Sequence, residues 1–482
     1  MSKFFYIHSI YKTLNKGVFI IGNKFNYKAF RKNIIGIKEK VPTLNGRNVR
    51  YINFDNAAST PGLNSVYEQL KDFLAWYSGV HRGTGIKSLI ASKAYDDAHE
   101  IIGNFVKADL DKNTVIIVKN TTEAINKLSY RLDLKPTDVV ITTLMEHHSN
   151  DLPWRDKANV VYVGLDNLGR LNLEDLEKKL KSYYPRVKLL AICGASNVTG
   201  HINDIHKIAK IAHQYKAEIL VDGAQLVPHK PVDIKPNSHP EHIDYIAFSS
   251  HKMYVPYGIG VLIGKKETFL KGSPEFSGGG TVSFVTENNV TWANLPDKEE
   301  AGSPNVFGTI ALAETIKYLQ KMNMKEIEQY ENELCKYAIK ELSKIKNVTV
   351  YGSFPRVGVI TFNIKGLPHS LVGAVLCYEG GMGVRTGCFC AQPYVRNLLN
   401  VDMSKYEGKE NTPSALLPGM VRISLAAYNS KSEIDYLLKL VKQIANNRTQ
   451  YNRDYVFSKK LGSYIPRFRT KGFDINKFYN LM

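Results

Sequence analysis

The chain has 482 residues, of which 44% are hydrophobic and 23% charged, a composition that suits two or three globular domains and excludes disorder and collagen-like repeats. Five cysteines in so long a chain exclude a disulfide scaffold and favour a reducing compartment. No apolar run reaches the roughly 18 residues of a membrane-spanning helix, so we predict a soluble protein without a membrane partner.

The net charge of +19 is concentrated at the two ends of the chain. Residues 1–40 contain nine Lys or Arg against one acid, and residues 446–482 contain eight against two. No motif that combines aromatic and basic residues accompanies these ends. We therefore interpret them as solvated or weakly docking surfaces, and nucleic-acid binding is the less favoured alternative.

Residues 1–27 are basic, poor in acids and partly amphipathic, as a mitochondrial presequence also is. They are rich in Lys rather than in the Arg and Ser that are typical of transit peptides. We predict an N-terminal extension without a targeting role, and hence a cytoplasmic protein. A mitochondrial or other organellar location is the alternative.

Seven short β-branched or apolar runs alternate with helical patterns such as LEDLEKKLKSYY and DIHKIAKIAHQY. Continuous apolar strands separated by helices predict a mostly parallel sheet that is buried on both faces. We expect a large α/β domain over residues 28–305, with residues 28–50 as candidates for packing on a second domain. The predicted strands are residues 114–118, 139–143, 160–164, 188–193, 217–222, 245–249 and 260–264.

The pattern changes after a stretch rich in Gly and Pro over residues 278–304. Two long helical patterns follow, ALAETIKYLQKM and EIEQYENELCKYAIKELSKI, and then the strands VTVYG, VGVITFNI and MVRISLA with the helices HSLVGAVLCYEG and SEIDYLLKLVKQIA. They predict a smaller α+β domain over residues 306–446 with an antiparallel or mixed sheet. Residues 447–482 are predicted to form a basic tail, and a ligand cleft is expected between the domains.

Two motifs place an acid and an amine at the ends of predicted strands. Asp222 lies in VDGAQ, and Lys252 follows a strand in SSHKMY. Ligands of open α/β sheets bind at the carboxyl ends of the strands. An ordinary ion pair explains this spacing equally well. The neighbouring motifs are therefore needed to distinguish a ligand site from an ion pair.

A third motif, NTTEAIN, follows a predicted strand and opens a helix. The hydroxyl and N–H groups of Thr121 and Thr122 are therefore candidates for binding a phosphate at the positive end of the helix. Ser249 and His251, which flank the lysine motif, are further candidate phosphate donors. A phosphate site, an acid and a lysine at one sheet edge indicate pyridoxal 5'-phosphate.

With these motifs, the chain resembles the class V aminotransferases among the fold type I pyridoxal-phosphate enzymes. It is most similar to their cysteine desulfurase branch, which includes selenocysteine lyases. The resemblance runs from about Asn53 in NFDNAAST to about Asn446. It implies the fold type I transferase architecture, a large domain with a mostly parallel seven-stranded sheet followed by a smaller α+β domain. GGGTV and EAGSPN, which contains Ser303, resemble loops that reach the neighbouring subunit's site, so the resemblance also implies a homodimer.

The resemblance assigns cofactor-binding roles by position. Lys252 is the lysine that binds the cofactor covalently, and Asp222 is the partner of the pyridine nitrogen. Gln225 is expected to hydrogen-bond the phenolic oxygen of the ring. In MEHHSN, His147 is expected to stack on the ring and is a candidate acid or base, whereas His148 is interpreted as structural.

The resemblance also assigns residues to the substrate. Arg422 in VRISLAAYN is expected to bind the substrate carboxylate in a bidentate pair, and Asn197 in SNVTG lies beside that carboxylate or the ring oxygen. His81 in HRGTGIKS and Arg385 in RTGCFCAQP are further candidates. HRGTGIKS lacks the additional histidine that common desulfurases have after HRG, so the pocket shape there is expected to differ.

The cysteine before Ala and Gln in RTGCFCAQP is the family's nucleophile, which assigns that role to Cys390. Cys388 stands where many relatives have histidine, and it is interpreted as a second thiol for sulfur, a metal ligand together with Cys390, or a tolerated replacement. Alternating strand geometry disfavours a disulfide between the two. We assign no metal site, and we interpret Cys193, Cys335 and Cys377 as buried apolar residues.

The resemblance implies a cysteine desulfurase that converts L-cysteine to L-alanine and leaves a persulfide on Cys390. The sulfur would pass to a separate acceptor protein for iron–sulfur clusters, thiolated RNA or another thiocofactor. Selenocysteine cleavage or a thiol-independent epimerase or lyase reaction is the alternative within the fold. An inactive scaffold or a basic RNA-binding protein is the alternative from another class.

Overall fold

The computed structural model describes residues 25–81, 83–406, 408 and 412–467. The predicted extension over residues 1–27 and the end of the predicted tail therefore lie mostly outside the described residues. Within the described ranges, no helix is both long and apolar enough to cross a membrane.

The N-terminal segment packs on the C-terminal part of the chain. Arg31 forms an ion pair with Glu433 at 2.5 Å, and the N–H of Ile52 donates to the carbonyl oxygen of Gly381 at 3.1 Å. Both contacts join residues more than three hundred positions apart. The elements of this segment are α1 (Tyr27–Lys32), β1 (Lys40–Pro42), β2 (Asn48–Arg50) and β3 (Ile52–Asn53), followed by α2 (Asn64–Leu74) and α3 (Ile86–Phe105).

A seven-stranded sheet forms the centre of the large domain, as the sequence predicts. Its strands are β4 (Asn113–Val118), β5 (Val139–Thr143), β6 (Asn159–Val163), β7 (Val187–Cys193), β8 (Glu218–Asp222), β9 (Tyr245–Ser249) and β10 (Gly260–Lys265). They lie in the order β4-β10-β9-β8-β7-β5-β6, and β10 alone runs antiparallel to its neighbours. Every residue of β4, β5 and β9 is buried, because helices cover both faces.

The helices between these strands begin with side-chain caps. Asn120, Asn172 and Asp204 each accept a hydrogen bond from a backbone N–H of the first helical turn. The helices are α4 (Thr121–Arg131), α5 (Leu152–Arg155), α6 (Leu173–Tyr183), α7 (Ile205–Gln214) and α8 (Lys266–Leu270). Because β4, β5, β7, β8 and β9 run in one direction, the loops after them meet at one edge of the sheet.

The stretch rich in Gly and Pro contains an exposed hairpin that connects the large domain to two long helices. Phe284 and Val285 of this hairpin are 63% and 55% exposed. Its strands are β11 (Val282–Val285) and β12 (Val290–Trp292), and the helices are α9 (Val306–Lys321) and α10 (Met324–Leu342).

The second domain is built on a four-stranded antiparallel sheet in the order β13-β14-β17-β16. The short strand β15 instead pairs in parallel with β3 of the N-terminal segment. The elements are β13 (Val348–Tyr351), β14 (Val359–Ile364), α11 (His369–Gly380), β15 (Met382–Gly383), β16 (Arg385–Gly387), α12 (Gln392–Leu398), β17 (Met420–Ser424) and α13 (Lys431–Asn446).

The region that the sequence predicts as a basic tail begins with folded structure. A helix and a hairpin pack beside α11, where the hydroxyl groups of Tyr451 and Tyr455 donate to the two carboxylate oxygens of Glu379 at 3.1 and 3.0 Å. These elements are α14 (Arg448–Asp454), β18 (Tyr455–Ser458) and β19 (Ser463–Pro466).

Candidate active site

Lys252 lies in a short 3-10 turn directly after β9, at the edge of the sheet where the parallel strands end. Burial lowers the pKa of its ammonium group to about 8, and the positive charge of Arg422 acts in the same direction. Negative charge on Asp222 and Cys390 opposes the shift. Asp222, Arg422 and Cys390 are therefore each close enough to influence Lys252, and the lowered pKa makes far more of Lys252 neutral at pH 7 than of an ordinary lysine.

Asp222, the last residue of β8, is 5% exposed. Its Oδ1 accepts the N–H of Ala224 at 2.9 Å. Burial raises the pKa of this carboxyl group, while the hydrogen bond and the charge of Lys252 act against the increase. The carboxyl group is thus held at the sheet edge beside the lysine, where a basic nitrogen would be a suitable partner.

Gln225 lies in the turn that follows β8, three residues after Asp222. Its Nε2 donates to the carbonyl oxygen of Ala57 at 2.8 Å. Its Oε1 is buried and has no partner among the described residues. A buried amide oxygen normally has a hydrogen-bond partner, so this residue has bonding capacity for a further group.

The N-terminus of α4 meets the end of β9 through hydroxyl groups. Ser249 Oγ accepts the N–H of Thr121 at 2.8 Å and lies 2.6 Å from Thr121 Oγ1. Thr122 Oγ1 lies 2.7 Å from Ser149 Oγ. Glycine is required nearby, because a Cβ on Gly260 would lie 2.4 Å from the carbonyl carbon of Asn120. This helix end presents the hydroxyl and N–H donors that a phosphate group needs.

His147 lies in the loop after β5, and its side chain forms hydrogen bonds within that loop. Its Nδ1 accepts the N–H of Ser149 at 3.1 Å, so a neutral ring carries its proton on Nε2. Burial, together with the positive charge of Lys252, lowers the pKa of His147 to about 3. A neutral ring of this kind suits stacking on a planar cofactor, and it has one N–H to donate.

Glu146 is a buried group at the site that the sequence analysis does not identify. It is 3% exposed, and it accepts hydrogen bonds from Thr143 Oγ1 at 2.6 Å and Asn150 Nδ2 at 2.7 Å. Burial raises the pKa of its carboxyl group to about 8. Glu146 therefore ties the end of β5 to the turn that follows His147.

Arg422 projects from β17 of the second domain and reaches the edge of the large domain. Its Nη1 donates to the carbonyl oxygen of Asn197 at 3.0 Å, and its Nη2 donates to Asp55 Oδ1 at 3.2 Å. Nε is buried without a partner among the described residues, and the guanidinium carbon lies 4.8 Å from the centre of the Phe389 ring. Burial lowers the pKa of Arg422 to about 10. The guanidinium is thus fixed in place, and its Nε–H is free to donate a hydrogen bond to a further group.

Asp55 links the two candidate substrate arginines, and the sequence analysis gives it no role. Its carboxylate contacts Arg422 Nη2 and also Arg385 Nη2, the latter at 2.8 Å. It therefore holds the positions that a substrate carboxylate would take on these arginines. The residue lies in the quoted motif NFDNAAST, but its contacts are with residues more than 300 positions away, which no local pattern indicates.

Cys390 lies on a tight turn directly after β16. The N–H of Ala391 donates to the carbonyl oxygen of Cys388 at 2.9 Å, and both central residues, Phe389 and Cys390, have φ of 55°. Left-handed backbone at two consecutive non-glycine residues is strained. The turn is held by the N–H of His148, which donates to the carbonyl oxygen of Cys390 at 2.7 Å. The Cys390 side chain is exposed.

The turn replaces the strand geometry that the sequence analysis assumes for the two cysteines. Cys388 is partly exposed, and its Sγ donates to the carbonyl oxygen of Pro418 at 3.2 Å. Burial raises the pKa of Cys388. Of the three cysteines expected to be buried, Cys193 and Cys335 are buried, but the expectation is wrong for Cys377, which is exposed on α11.

The structure also describes three other candidates. Burial and the charge of Lys252 lower the pKa of His251 to about 4. His81 is exposed and contacts α3, with Nε2 at 3.3 Å from Asp96 Oδ1. Ser303 is exposed on the loop before α9. Their roles in binding phosphate, substrate or a second subunit remain predictions.

The chain belongs to the class V aminotransferase family, whose model matches residues 52–437. A probable cysteine desulfurase of Halalkalibacterium halodurans is 38% identical over 417 residues, which cover 84% of this chain and 96% of that protein. A probable cysteine desulfurase of Staphylococcus aureus is 36% identical over 83% of this chain and 93% of that protein.

Two solved structures have the same fold. The cysteine desulfurase of Thermococcus onnurineus has a TM-score of 0.75 and 31% identity, and it covers 88% of this chain and 99% of its own. The cysteine desulfurase CsdA of Escherichia coli has a TM-score of 0.74 and 30% identity, with the same coverage. The chain therefore lies in the cysteine desulfurase branch of the family, whose members depend on pyridoxal 5'-phosphate.

The residues at the sheet edge fit this cofactor. Lys252 provides an amine with a lowered pKa, and Gln225 provides a buried amide oxygen without a partner. The start of α4 provides N–H and hydroxyl groups, and Asp222 provides a carboxylate beside the lysine. Lysine, acid, amide and helix N-terminus are the groups that bind the aldehyde, ring nitrogen, ring oxygen and phosphate of such a cofactor.

Proposed function

We propose that this protein is a pyridoxal-phosphate-dependent cysteine desulfurase that converts L-cysteine to L-alanine and takes the sulfur atom onto Cys390. The observation that carries this proposal is the position of the Cys390 turn, which lies against His148 and influences the pKa of both Lys252 and Arg422. A thiol-independent reaction would not need a cysteine beside the cofactor lysine.

Arg422 and Asn197 bind the substrate in this proposal. The free Nε of Arg422 and its neighbouring N–H groups offer the planar fork that pairs with a carboxylate. Asp55 already pairs with this arginine at 3.2 Å, so the substrate carboxylate has to share or replace that contact. The buried arginine then orients the amino acid between Lys252 and Cys390.

Lys252 moves the proton of the substrate α-carbon. When bound, pyridoxal phosphate supplies an electron sink that withdraws charge from that carbon. The low pKa of Lys252 makes its amine a suitable base, and Asp222 fixes the protonated state of the nearby basic nitrogen. His147, neutral and with a proton on Nε2, is oriented for stacking and for donating one hydrogen bond.

The Cys390 thiolate attacks the sulfur atom of the bound L-cysteine. A sulfur–sulfur bond forms, the carbon–sulfur bond breaks, and its electron pair stays with the carbon side, which becomes L-alanine after protonation. Cys390 is thereby left as a persulfide. Left-handed backbone at Phe389 and Cys390 places the exposed thiol on a constrained turn, which is consistent with a reactive side chain.

The persulfide is passed to a separate acceptor protein. The exposed position of Cys390 supports such a transfer, because the acceptor's thiol has to reach the outer sulfur atom. We also infer a cytoplasmic location, for which the Lys-rich character of residues 1–27 is the support. Fusion of residues 1–27 to a fluorescent protein tests this inference, and organellar import of the fusion would contradict it.

The protein is further proposed to act as a homodimer. Ile86 and Leu89 on α3 are 67% and 54% exposed, and Tyr67 on α2 and Phe284 on the exposed hairpin are also exposed apolar residues. Ile86 and Leu89 lie three positions apart and so share one face of α3, and clustered exposed apolar side chains are typical of a subunit interface. Ser303 follows the hairpin, in the position expected for contact with a second active site.

The experiment that tests the proposed reaction measures alanine and sulfide released from L-cysteine in the presence of a reducing thiol. Wild-type enzyme is expected to produce both, and Cys390→Ser is expected to lose sulfide production. Cys388→Ser is the matched control, since it removes a thiol from the same turn. Full activity of Cys390→Ser would contradict the proposal.

Selenocysteine serves as the comparison substrate in the same assay. Selenide leaves carbon more readily than sulfide does, so its release is expected to depend less on Cys390. Loss of the cysteine reaction together with retention of the selenocysteine reaction in Cys390→Ser would support the role of the thiol. A wild-type enzyme active on selenocysteine alone would assign the chain to the lyase alternative.

A further inference from the structure

Two imidazoles and one carboxylate meet at the opposite edge of the central sheet from Lys252. His213 is in the last turn of α7, and His242 lies in the loop that leads to β9. Asp244 directly precedes β9 and is 3% exposed. Both histidine side chains are partly exposed, at 20% and 15%. Small ions can therefore reach the group from solvent.

The distances among these side chains suit a common ligand. His213 Nε2 lies 2.9 Å from Asp244 Oδ2, and His242 Nε2 lies 3.1 Å from Asp244 Oδ1. One ligand atom from each residue can be chosen so that all three lie within 4.8 Å of one another. Two ligands of a tetrahedral zinc ion, each about 2.0 to 2.1 Å from the metal, are about 3.3 Å apart. Both histidine–aspartate distances are therefore close to the separation of two ligands that share one ion.

Backbone carbonyl groups fix the orientation of both rings. His213 Nδ1 donates to the carbonyl oxygen of Pro240 at 2.9 Å, and His242 Nδ1 donates to that of His239 at 2.6 Å. A neutral imidazole that donates from Nδ1 has its lone pair on Nε2. Metal-bound histidines are oriented by this type of hydrogen bond. Both Nε2 atoms face the Asp244 carboxylate and donate to it when no ion is bound, so an ion would displace these protons and take the two Nε2 lone pairs.

Asp244 also has partners within the protein. Its Oδ2 accepts the N–H of Ile219 at 2.8 Å, and its Oδ1 lies 3.2 Å from Lys265 Nζ. Lys265 pairs with Glu218 as well, so its charge is compensated by a second carboxylate when Asp244 binds a cation. Hydrogen bonds alone, without an ion, are the competing arrangement of this cluster.

We propose that His213, His242 and Asp244 form a binding site for one zinc-type divalent ion, with water completing its coordination. Imidazole and carboxylate are suitable ligands for Zn²⁺. The ion would join α7 to the loop before β9 and would hold the strand that leads to Lys252 from its far end. No local motif marks this site, because His213 lies far along the chain from the other two residues.

The test is a titration of the holoenzyme, first freed of metal with a chelator, with ZnCl₂ in a calorimeter. Wild type is expected to bind one Zn²⁺ ion more per chain than His242→Ala does, and His213→Ala is expected to lose the same ion. His206→Ala is the matched control, because His206 packs on the same loop, with Nδ1 at 3.0 Å from the carbonyl oxygen of Glu241. The control is expected to bind as wild type does.

Co²⁺ spectra separate this site from zinc bound by thiols. Co²⁺ on His213, His242 and Asp244 is expected to show no thiolate charge-transfer band, whereas Co²⁺ on Cys388 or Cys390 shows one. Equal stoichiometry in wild type and His242→Ala would overturn the proposal. It would also be overturned if His242→Ala lowered the melting temperature equally with and without Zn²⁺, which is the result expected of a hydrogen-bonded cluster.

Discussion

Arg422 is the residue whose environment most directly indicates a substrate group. Its guanidinium is buried, is held by Asp55 and Asn197, and keeps Nε free of partners among the described residues. A lysine in its place supplies a charge but not the planar fork. Replacing Arg422 with lysine therefore tests its planar hydrogen-bonding geometry separately from its charge.

Arg422→Lys is expected to raise the KM for L-cysteine by about 10- to 100-fold, because one charge-assisted hydrogen bond contributes about 1.5–3 kcal/mol. The measurement is steady-state kinetics with L-cysteine as the varied substrate. Arg385→Lys is the control, since Arg385 is exposed and also pairs with Asp55, and its effect is expected to be smaller. An unchanged KM in Arg422→Lys would contradict the assigned role.

The lowered pKa of Lys252 predicts how the apoenzyme takes up its cofactor. Reaction with an aldehyde needs the neutral amine, whose fraction rises with pH through the pKa. With a pKa of about 8, about one-tenth of Lys252 is neutral at pH 7, whereas an ordinary lysine has less than about one-thousandth. Recovery of the absorption band of bound pyridoxal phosphate is therefore expected to accelerate up to about pH 8 and then level off. A rate that still rises tenfold per pH unit above pH 9 would contradict the shift.

Glu146 predicts a second pH effect, on stability. Because burial raises the pKa of this carboxyl group to about 8, the folded state binds a proton that the unfolded state releases near pH 4.5. This contribution to stability is fully present below the unfolded pKa and is lost as pH rises through about 8. Glu146→Gln, which is neutral throughout, is expected to lose less stability than wild type between pH 6 and 9 in urea unfolding. The prediction would be contradicted if the free energies of unfolding of the two proteins changed in parallel with pH.

At the scale of secondary-structure elements, the N-terminus of α4 carries the candidate phosphate site. Thr121→Val removes a hydroxyl group that contacts Ser249 Oγ at 2.6 Å, and it is expected to weaken pyridoxal phosphate binding about tenfold through the loss of one charge-assisted hydrogen bond. Ser129→Ala, which removes a hydroxyl from the same helix, is the control. Binding of pyridoxal, which lacks the phosphate, should be unaffected by either change.

The sequence predicts the long elements of this fold well and the short ones poorly. Buried strands such as β4 and β9 are continuous β-branched or aromatic runs, so their pattern identifies them without tertiary information. The two-residue strands β3 and β15 form only because the N-terminal segment and the second domain meet. The hairpin of β18 and β19 lies in a basic region that resembles a tail.

In the candidate site too, the sequence pattern predicts some residues and gives no sign of others. Lys252, Asp222 and Thr121 follow strands that the pattern predicts, so their meeting at one edge follows from strand direction alone. Asp55 and Glu146 are defined by contacts that no spacing in the chain indicates. The turn at Cys390 contradicts the extended geometry assumed for RTGCFC, because left-handed backbone at Phe389 is unusual for a bulky residue and needs tertiary support.

At the scale of the whole molecule, the exposed apolar side chains of α3 predict a dimer. Leu89→Asp is expected to shift the protein toward monomers, because it places a charge in an apolar interface. Light scattering coupled to size-exclusion chromatography measures the mass. Leu168→Asp is the control, since Leu168 is also exposed, at 55%, but lies on the loop before α6. If both variants had the mass of a dimeric wild type, α3 would not be part of the interface.

The two domains together bring the thiol of one near the lysine of the other, so we expect the sulfur of L-cysteine to pass to Cys390. The most direct measurement is mass spectrometry of the intact holoenzyme after a single turnover with L-cysteine and no reducing thiol, followed by peptide mapping. We predict that one sulfur atom is added to the peptide containing Cys390, that the addition is removed by a reductant, and that it is absent in Cys390→Ser. One equivalent of alanine formed with no sulfur on Cys390, or with sulfur on another cysteine, would contradict sulfur transfer to Cys390.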